Sequence, residues 1–305
     1  MRVVSVVLVI ALGVAAGTVG GAPRLHRIAG GTFEASGVVH VPGTDGVLFV
    51  DDARTRTMLW MDLSVDGTQE APAVEVPIPN ADIVDLEAMT TDGRHFYAVG
   101  SQSKEVGFDG DGLVRFAFDP ATRRISNVET VRDLKRFLGL NVAELRGVER
   151  QIGDEALNIE GLAWDPTHNR LLLGLRAPVK GANALIVPVK LREPEGPFSA
   201  DNLIVDTGGT ITLPLGGVGL RSIEYDPIRG AFLIITGAAL NEESSDFRLL
   251  EWNGRDKTVR EIGRYSRRLK PEGIARAKLG GADVTVIVFD TGMFEVVRDQ
   301  GTRRN

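Results

Sequence analysis

From residue 30 to residue 298 the apolar positions come in short runs broken by Gly, Asp, Asn and Pro, with almost no helical spacing. The runs fall into a phrase that returns five times. Each phrase opens on a strand with a charged residue near its start: "FEASGVVHV", "DLEAMTTDG", "NIEGLAWDP", "GLRSIEYDP" and "KPEGIARA". A tight turn follows ("PGTDG", "TDGR", "DPTHNR", "DPIRG", "KLGGAD"), made of residues that suit an antiparallel reversal. Next comes a strongly apolar strand: "VLFVDD", "HFYAVGS", "RLLLGLR", "AFLIITG" or "DVTVIVFD". A third strand then appears ("TMLWMDL", "LVRFAFD", "ALIVPVK", "RLLEWNG", "MFEVVRD"), and after most of these an outer one ("AVEVPIP", "ISNVETV", "TITLPL", "TVREIGR"). Five such units of about fifty residues predict an all-β chain, a five-bladed β-propeller of four-stranded antiparallel blades around a channel. A two-sheet β-sandwich also uses short strands, but nothing in it requires the units to repeat.

The fifth unit runs out after its third strand, near Arg298, which would leave a blade edge unpaired. The segment Arg24 to Gly30 is free to supply the missing strand, so the ring is expected to close through the N-terminus. Two insertions interrupt the phrase. Val131 to Asn141 has apolar residues at helical spacing and predicts a short amphipathic helix on the rim; Arg192 to Asn202 reads as a polar Pro/Gly loop. Ahead of the repeats, Met1-Arg2 precede the apolar run "VVSVVLVIALGVAA", which exits through small residues. That is the form of a secretory signal peptide over residues 1–22, leaving one domain over 23–305 in an exported protein; an uncleaved anchor is the alternative.

Composition adds exclusions. Of 305 residues, 43% are hydrophobic and 25% charged, and the formal net charge is −6, so no nucleic-acid footprint is expected. There is no cysteine, which removes disulfides, thiolate chemistry and cysteine-held zinc from consideration. The four histidines, His26, His40, His95 and His168, are scattered. No G-x-S-x-G elbow, Walker loop or dinucleotide fingerprint is present, since "LGGVG" opens no helix.

The opening strand of a blade is innermost, so its charged residue faces the channel. Aligning the units on their turns places Glu87, Glu160 and Glu272 in one slot; Glu34 joins through "E-A-S-G", and Arg221, rather than Glu224, fills the slot in the fourth unit. Four carboxylates around a narrow axis repel and need a counter-charge. A divalent cation on the axis would supply it, and calcium, with its flexible shell of oxygens, suits Glu34, Glu87, Glu160 and Glu272 better than magnesium or zinc. Arg221 could instead pair with two of its neighbours, or some glutamates could accept N–H bonds from adjacent blades as clips. Each of these glutamates starts its strand, and so lies beside the end of the second strand. There Asp51, Asp52, Gln102, Lys104, Arg176 and Asp290, with Arg221, form a polar mouth that is the expected ligand site.

"EASGV", "LFVDD", "DLEAMT", "YAVGSQS", "NIEGLAW", "LLLGLRAP" and "KPEGIA" together resemble an uncharacterised bacterial family, domain-of-unknown-function family 3616, over nearly the whole chain after the leader. That resemblance implies the fold and no activity. More loosely, "VDDARTRTMLW", "NIEGLAW" and "KPEGIA" resemble calcium-dependent apyrases, five-bladed propellers that hydrolyse nucleotides around a central calcium. This likeness implies calcium ligation by Glu87, Glu160 and Glu272. It also marks a departure, because Glu34 and Arg221 stand where those enzymes place small hydroxyl residues. Phytase-like esterase propellers share the same inner strand. The expected function is therefore an exported, monomeric propeller that binds a small molecule or protein at its acidic mouth, with calcium as a candidate cofactor. The alternative is a calcium-dependent hydrolase of phosphate esters or anhydrides, with Arg176 and Lys104 holding phosphate.

Overall fold

The aspartates that open the repeated turns act through their side chains. Asp92 Oδ1 accepts from the backbone N–H of Arg94 and His95 at 2.7 and 2.6 Å, and Asp226 Oδ1 accepts from those of Ile228 and Arg229 at 2.9 and 3.2 Å. Satisfying those N–H groups locally lets the chain reverse at once, so each opening strand pairs with the apolar strand after it. A computed structural model of the protein, which describes residues 24–103, 111–238 and 246–299, shows the result to be a five-bladed β-propeller. The leader, residues 1–22, lies outside the described residues.

After the N-terminal strand β1 (Leu25–Arg27), blade 1 holds β2 (Ala35–His40), β3 (Gly46–Asp51), β4 (Thr57–Asp62) and β5 (Val74–Pro77). Blade 2 holds β6 (Leu86–Thr91), β7 (Phe96–Gly100), β8 (Asp111–Asp119) and β9 (Arg124–Arg132). In blade 3, β10 (Asn158–Asp165), β11 (Arg170–Ala177) and β12 (Ala184–Leu191) are followed by a divided outer position. There β13 (Leu203–Val205) and β14 (Ile211–Leu213) pair with opposite halves of β12. Blade 4 holds β15 (Gly219–Asp226), β16 (Ala231–Gly237), β17 (Phe247–Trp252) and β18 (Val259–Tyr265). Blade 5 holds β19 (Pro271–Leu279), β20 (Ala282–Phe289) and β21 (Met293–Arg298), and its fourth strand is β1, with His26 opposite Phe294.

The hydrophobic core is divided into five clusters, one in each gap between neighbouring blades. The gap between blades 5 and 1 is filled like the others, by Phe49, Met61, Val286 and Phe294 among its residues. The gap between blades 2 and 3 also takes the helix. Val131 and Arg132 belong to β9, Asp133 turns with φ of 55°, and α1 spans Leu134–Asn141, shorter than the spacing predicts. Its Leu134 and Leu138 bury against Leu113, Val131 and Leu157. Among the described residues no helix is long and apolar enough to cross a membrane.

One irregularity recurs in every inner strand. Between Leu86 and Ala88, Ile159 and Gly161, Leu220 and Ser222, and Pro271 and Gly273, the register with the second strand slips by one residue. The extra residue is Glu87, Glu160, Arg221 or Glu272, and a β-bulge of this kind re-aims the side chain it carries. In β2 the slip lies between Ala35 and Val38, so the equivalent bulged residue is Ser36. The residue after each bulge is small (Gly37, Ala88, Gly161, Ser222, Gly273) because neighbouring inner strands crowd there. A Cβ on Gly37 would stand 2.7 Å from Ala88 Cα, and one on Gly273 would stand 2.5 Å from the Ser36 carbonyl oxygen.

Clips between inner strands exist, but the ring glutamates do not form them. Thr90 Oγ1 accepts from Trp164 N–H at 3.0 Å, and Ser222 Oγ accepts from Ile274 N–H at 3.2 Å. Thr90→Val keeps the shape and leaves the Trp164 amide without its acceptor, so it is expected to destabilise the protein by about 1–3 kcal/mol in chemical denaturation.

Candidate functional site

The five bulges turn their side chains toward one end of the channel, where a cavity of about 270 Å³ opens. Ser36, Glu87, Glu160, Arg221 and Glu272, one from each blade, line it. A second tier stands two residues earlier along the chain: Asp85, Asn158 and Lys270. Asp52, Arg176 and Asp290 reach in from the ends of the second strands, and Asp154 from the insertion before blade 3.

The slot expected for Glu34 belongs to Ser36. Glu34 is exposed and lies off the cavity, two residues from the bulge; by register it corresponds to Asp85, Asn158 and Lys270. A gapless alignment on "E-A-S-G" misses this, because the bulge is located by the small residue that follows it. Asp51 is also off the cavity; its carboxylate accepts from Ala53 N–H at 3.1 Å and Glu34 N–H at 3.4 Å and lies 3.5 Å from Arg54 Nε. Gln102 is buried beside the mouth with φ of 67° and donates to the Gly100 carbonyl at 3.2 Å, outside the lining. Lys104 lies outside the described residues. The sequence offered a signal for Asp85, Asn158 and Lys270 in their common spacing from the bulge; for Asp154 it offered none.

Among the described residues, the cations at the cavity come from blades 3 to 5. Glu160 Oε1 accepts from Arg176 Nη1 at 2.8 Å and from Asn158 Nδ2 at 3.1 Å, while Arg176 Nε also donates to the Ala238 carbonyl of blade 4. Arg221 Nη1 bridges the axis, 2.5 Å from Glu272 Oε1 and 3.3 Å from Glu160 Oε2. Lys270 Nζ pairs with Asp290 at 2.8 Å. On blade 2, Ser101 donates its hydroxyl to Asp85, and no donor among the described residues reaches the Glu87 carboxyl.

Among the described residues, carboxylates outnumber cationic side chains around the cavity seven to three. Burial, reinforced by Glu160, Asp85, Glu272 and Asp52, pushes the Glu87 carboxyl well above the usual range. Burial also raises Glu272, to about 8, despite the opposing pull of Arg221. Arg221 is likewise held above its ordinary value, and so charged, because Glu160 and Glu272 outweigh the cost of burying its charge.

The buried oxygens Glu160 Oε2, Glu272 Oε2 and Asn158 Oδ1 accept no hydrogen bond, and this all-oxygen set has the chemistry of a hard-cation site. Among the described residues, however, no group of three carboxylate or imidazole side chains is close enough together to hold a metal ion. Moving Ser36 into the first slot removes one of the two departures from the apyrase pattern. Arg221 is the other.

Two predictions follow from the charges. Glu87, Glu224 and Glu272 all have folded values above the ordinary 4.5, with Glu224 and Glu272 at about 8, so the folded state holds protons that the unfolded chain releases. Their contribution to stability is complete below about pH 4.5 and is lost as pH rises toward 8, so the melting temperature should fall between pH 5 and pH 8. Glu224→Gln, away from the mouth, should flatten that fall. Arg176→Met leaves Glu160 with a deficit of charge and donors and should cost about 3 kcal/mol in denaturant titrations.

Solved structures of other proteins align with most of this chain. A glutaminyl cyclase from Myxococcus xanthus aligns over 90% of this chain and 94% of its own, at 15% identity and a TM-score of 0.49. A soluble aldose sugar dehydrogenase from Escherichia coli aligns over 91% and 99%, at 12% identity and a TM-score of 0.48. No curated protein matches. Residues 134–291, from the helix through blades 3, 4 and most of 5, match the family described as "Protein of unknown function (DUF3616)", and the chain belongs to that family.

Proposed function

We propose that this propeller is a binding module that takes a small cation at the acidic mouth of its channel. One observation supports the reading above the others: among the described residues seven carboxylates face three cations around a single cavity, and those three come from blades 3, 4 and 5. The positive end of a ligand would therefore settle against Glu87, Asp85 and Asp52, beside the Ser36 hydroxyl. Calcium and a primary ammonium or guanidinium compound share that chemistry. The apolar leader motivates the further proposal that the module works outside the cytoplasm.

A phosphohydrolase is the second reading, and the site favours it less. Arg176, Arg221 and Lys270 are each engaged by a carboxylate, so an incoming phosphate would have to displace one of them while facing the remaining acids.

Calorimetric titration with calcium, methylammonium, guanidinium and putrescine tests the binding reading. At least one should bind, with affinity rising from pH 6 to pH 9 as Glu272 and Glu87 give up protons that a cation replaces. Glu87→Gln should weaken that binding roughly tenfold. No heat with any of them, or indifference to Glu87→Gln, would sink it. Phosphate release from a panel of nucleotides and esters in the presence of calcium would revive the second reading.

A further inference from the structure

We infer that Arg221 is a built-in axial cation, filling the place where a ring of acids would otherwise need a metal ion, and that it sets the selectivity of the channel against divalent ions. The side chain does not merely happen to reach the axis. Blade 4 has a seat for it. Gly237, at the end of β16, leaves the room: a Cβ there would stand 2.7 Å from Arg221 Cγ and 2.8 Å from its Nε. The Phe247 ring lies with its centroid 5.8 Å from the guanidinium carbon, and Glu160 and Glu272 hold Nη1 from the two flanking blades. The group is 8% exposed, and its Nε–H has no acceptor. A guanidinium left with an unused donor in a buried site is held there by charge rather than by full hydrogen bonding.

Seated in this way, one positive charge on a rigid strand serves two carboxylates from different blades. A diffusible ion would serve the same two and would have to displace Arg221 first. Leaving the seat would separate the guanidinium from Glu160 and Glu272 and empty the space that Gly237 leaves beside Phe247. The ring is thus neutralised on the side of blades 3 to 5 without any metal, and a divalent ion meets repulsion from the Arg221 charge. Without the guanidinium, Glu160 and Glu272 lose their shared counter-charge, and their oxygens, with the Ser36 hydroxyl, are left to a cation that draws them together. The inference shares a cavity with the cation-binding proposal but does not rest on it, because it concerns the guanidinium held between Glu160 and Glu272.

Three measurements test it. Any rise in melting temperature that millimolar calcium gives the wild-type protein over EDTA should be kept in Glu272→Gln. A rise that Glu272→Gln abolishes would put a metal on the axis and overturn the inference. Arg221→Ser should gain calcium affinity by roughly tenfold or more over wild type, read by calorimetry and by calcium-dependent recovery of its melting temperature. The gain should disappear in the double variant Arg221→Ser, Glu272→Gln. Gly237→Ala keeps the charge but spoils the seat, so it should gain calcium affinity to a smaller degree and can be read even where Arg221→Ser fails to fold. No gain in either variant overturns the inference. If wild type takes no cation at all while Arg221→Ser takes calcium, the proposed function falls and this inference stands.

Discussion

The inner-strand bulge is the constraint on which the rest of this propeller depends. Blade faces pack against blade faces, so an unbulged inner strand would send its side chains into the gaps between blades, where the five apolar clusters lie. One extra residue per strand breaks that alternation and turns a single side chain to the axis. The cost is crowding, since adjacent backbones then come within reach of any Cβ at the next position. Glycine, alanine or serine at that position relieves it. The paired motif of a polar residue followed by a small one is thus a packing requirement first and a chemical opportunity second.

The opportunity is electrostatic. Three bulges present glutamate, one serine and one arginine, so the axis has an odd arrangement of charge that cannot be five-fold symmetric. Arg221, bridging Glu160 and Glu272, pulls the neutral side of the channel toward blades 3 to 5. Glu87 is left on the opposite side with its ionisation disfavoured by burial and by its acidic neighbours. A channel polarised in this way can discriminate among ligands by where their charge sits. A uniform ring of acids would discriminate only by how much charge they carry.

Stability and function also draw on different residues here. The side-chain bonds that tie inner strands together come from Thr90 and Ser222, further along the strands than the bulges. Freed from that duty, the ring side chains at the mouth are free to make ion pairs and to leave acceptors such as Glu272 Oε2 and Asn158 Oδ1 unsatisfied. Buried acceptors left in this state are unfavourable in a fold built only for stability and reasonable in one that meets a ligand.

The architecture was legible because it is local and repeated. Alternating apolar strands, Asp- and Gly-bearing turns and a polar-small step near the start of each unit are read along the chain, and they determined five blades, the order of their strands and four of the five axial residues. The fifth was not legible: Glu34 and Ser36 lie two residues apart, and only the pairing of Ala35 with Asp51 and Val38 with Phe49 locates the bulge between them. Likewise, nothing in the spacing of Asp154 places it over the channel, because an insertion goes where its burial sends it. The sequence alone could name Arg221 as the odd member of the ring. Only the tertiary structure could decide that Gly237 and Phe247 hold it between two carboxylates, because that seat joins residues from three blades whose distances are set by packing and not by order along the chain.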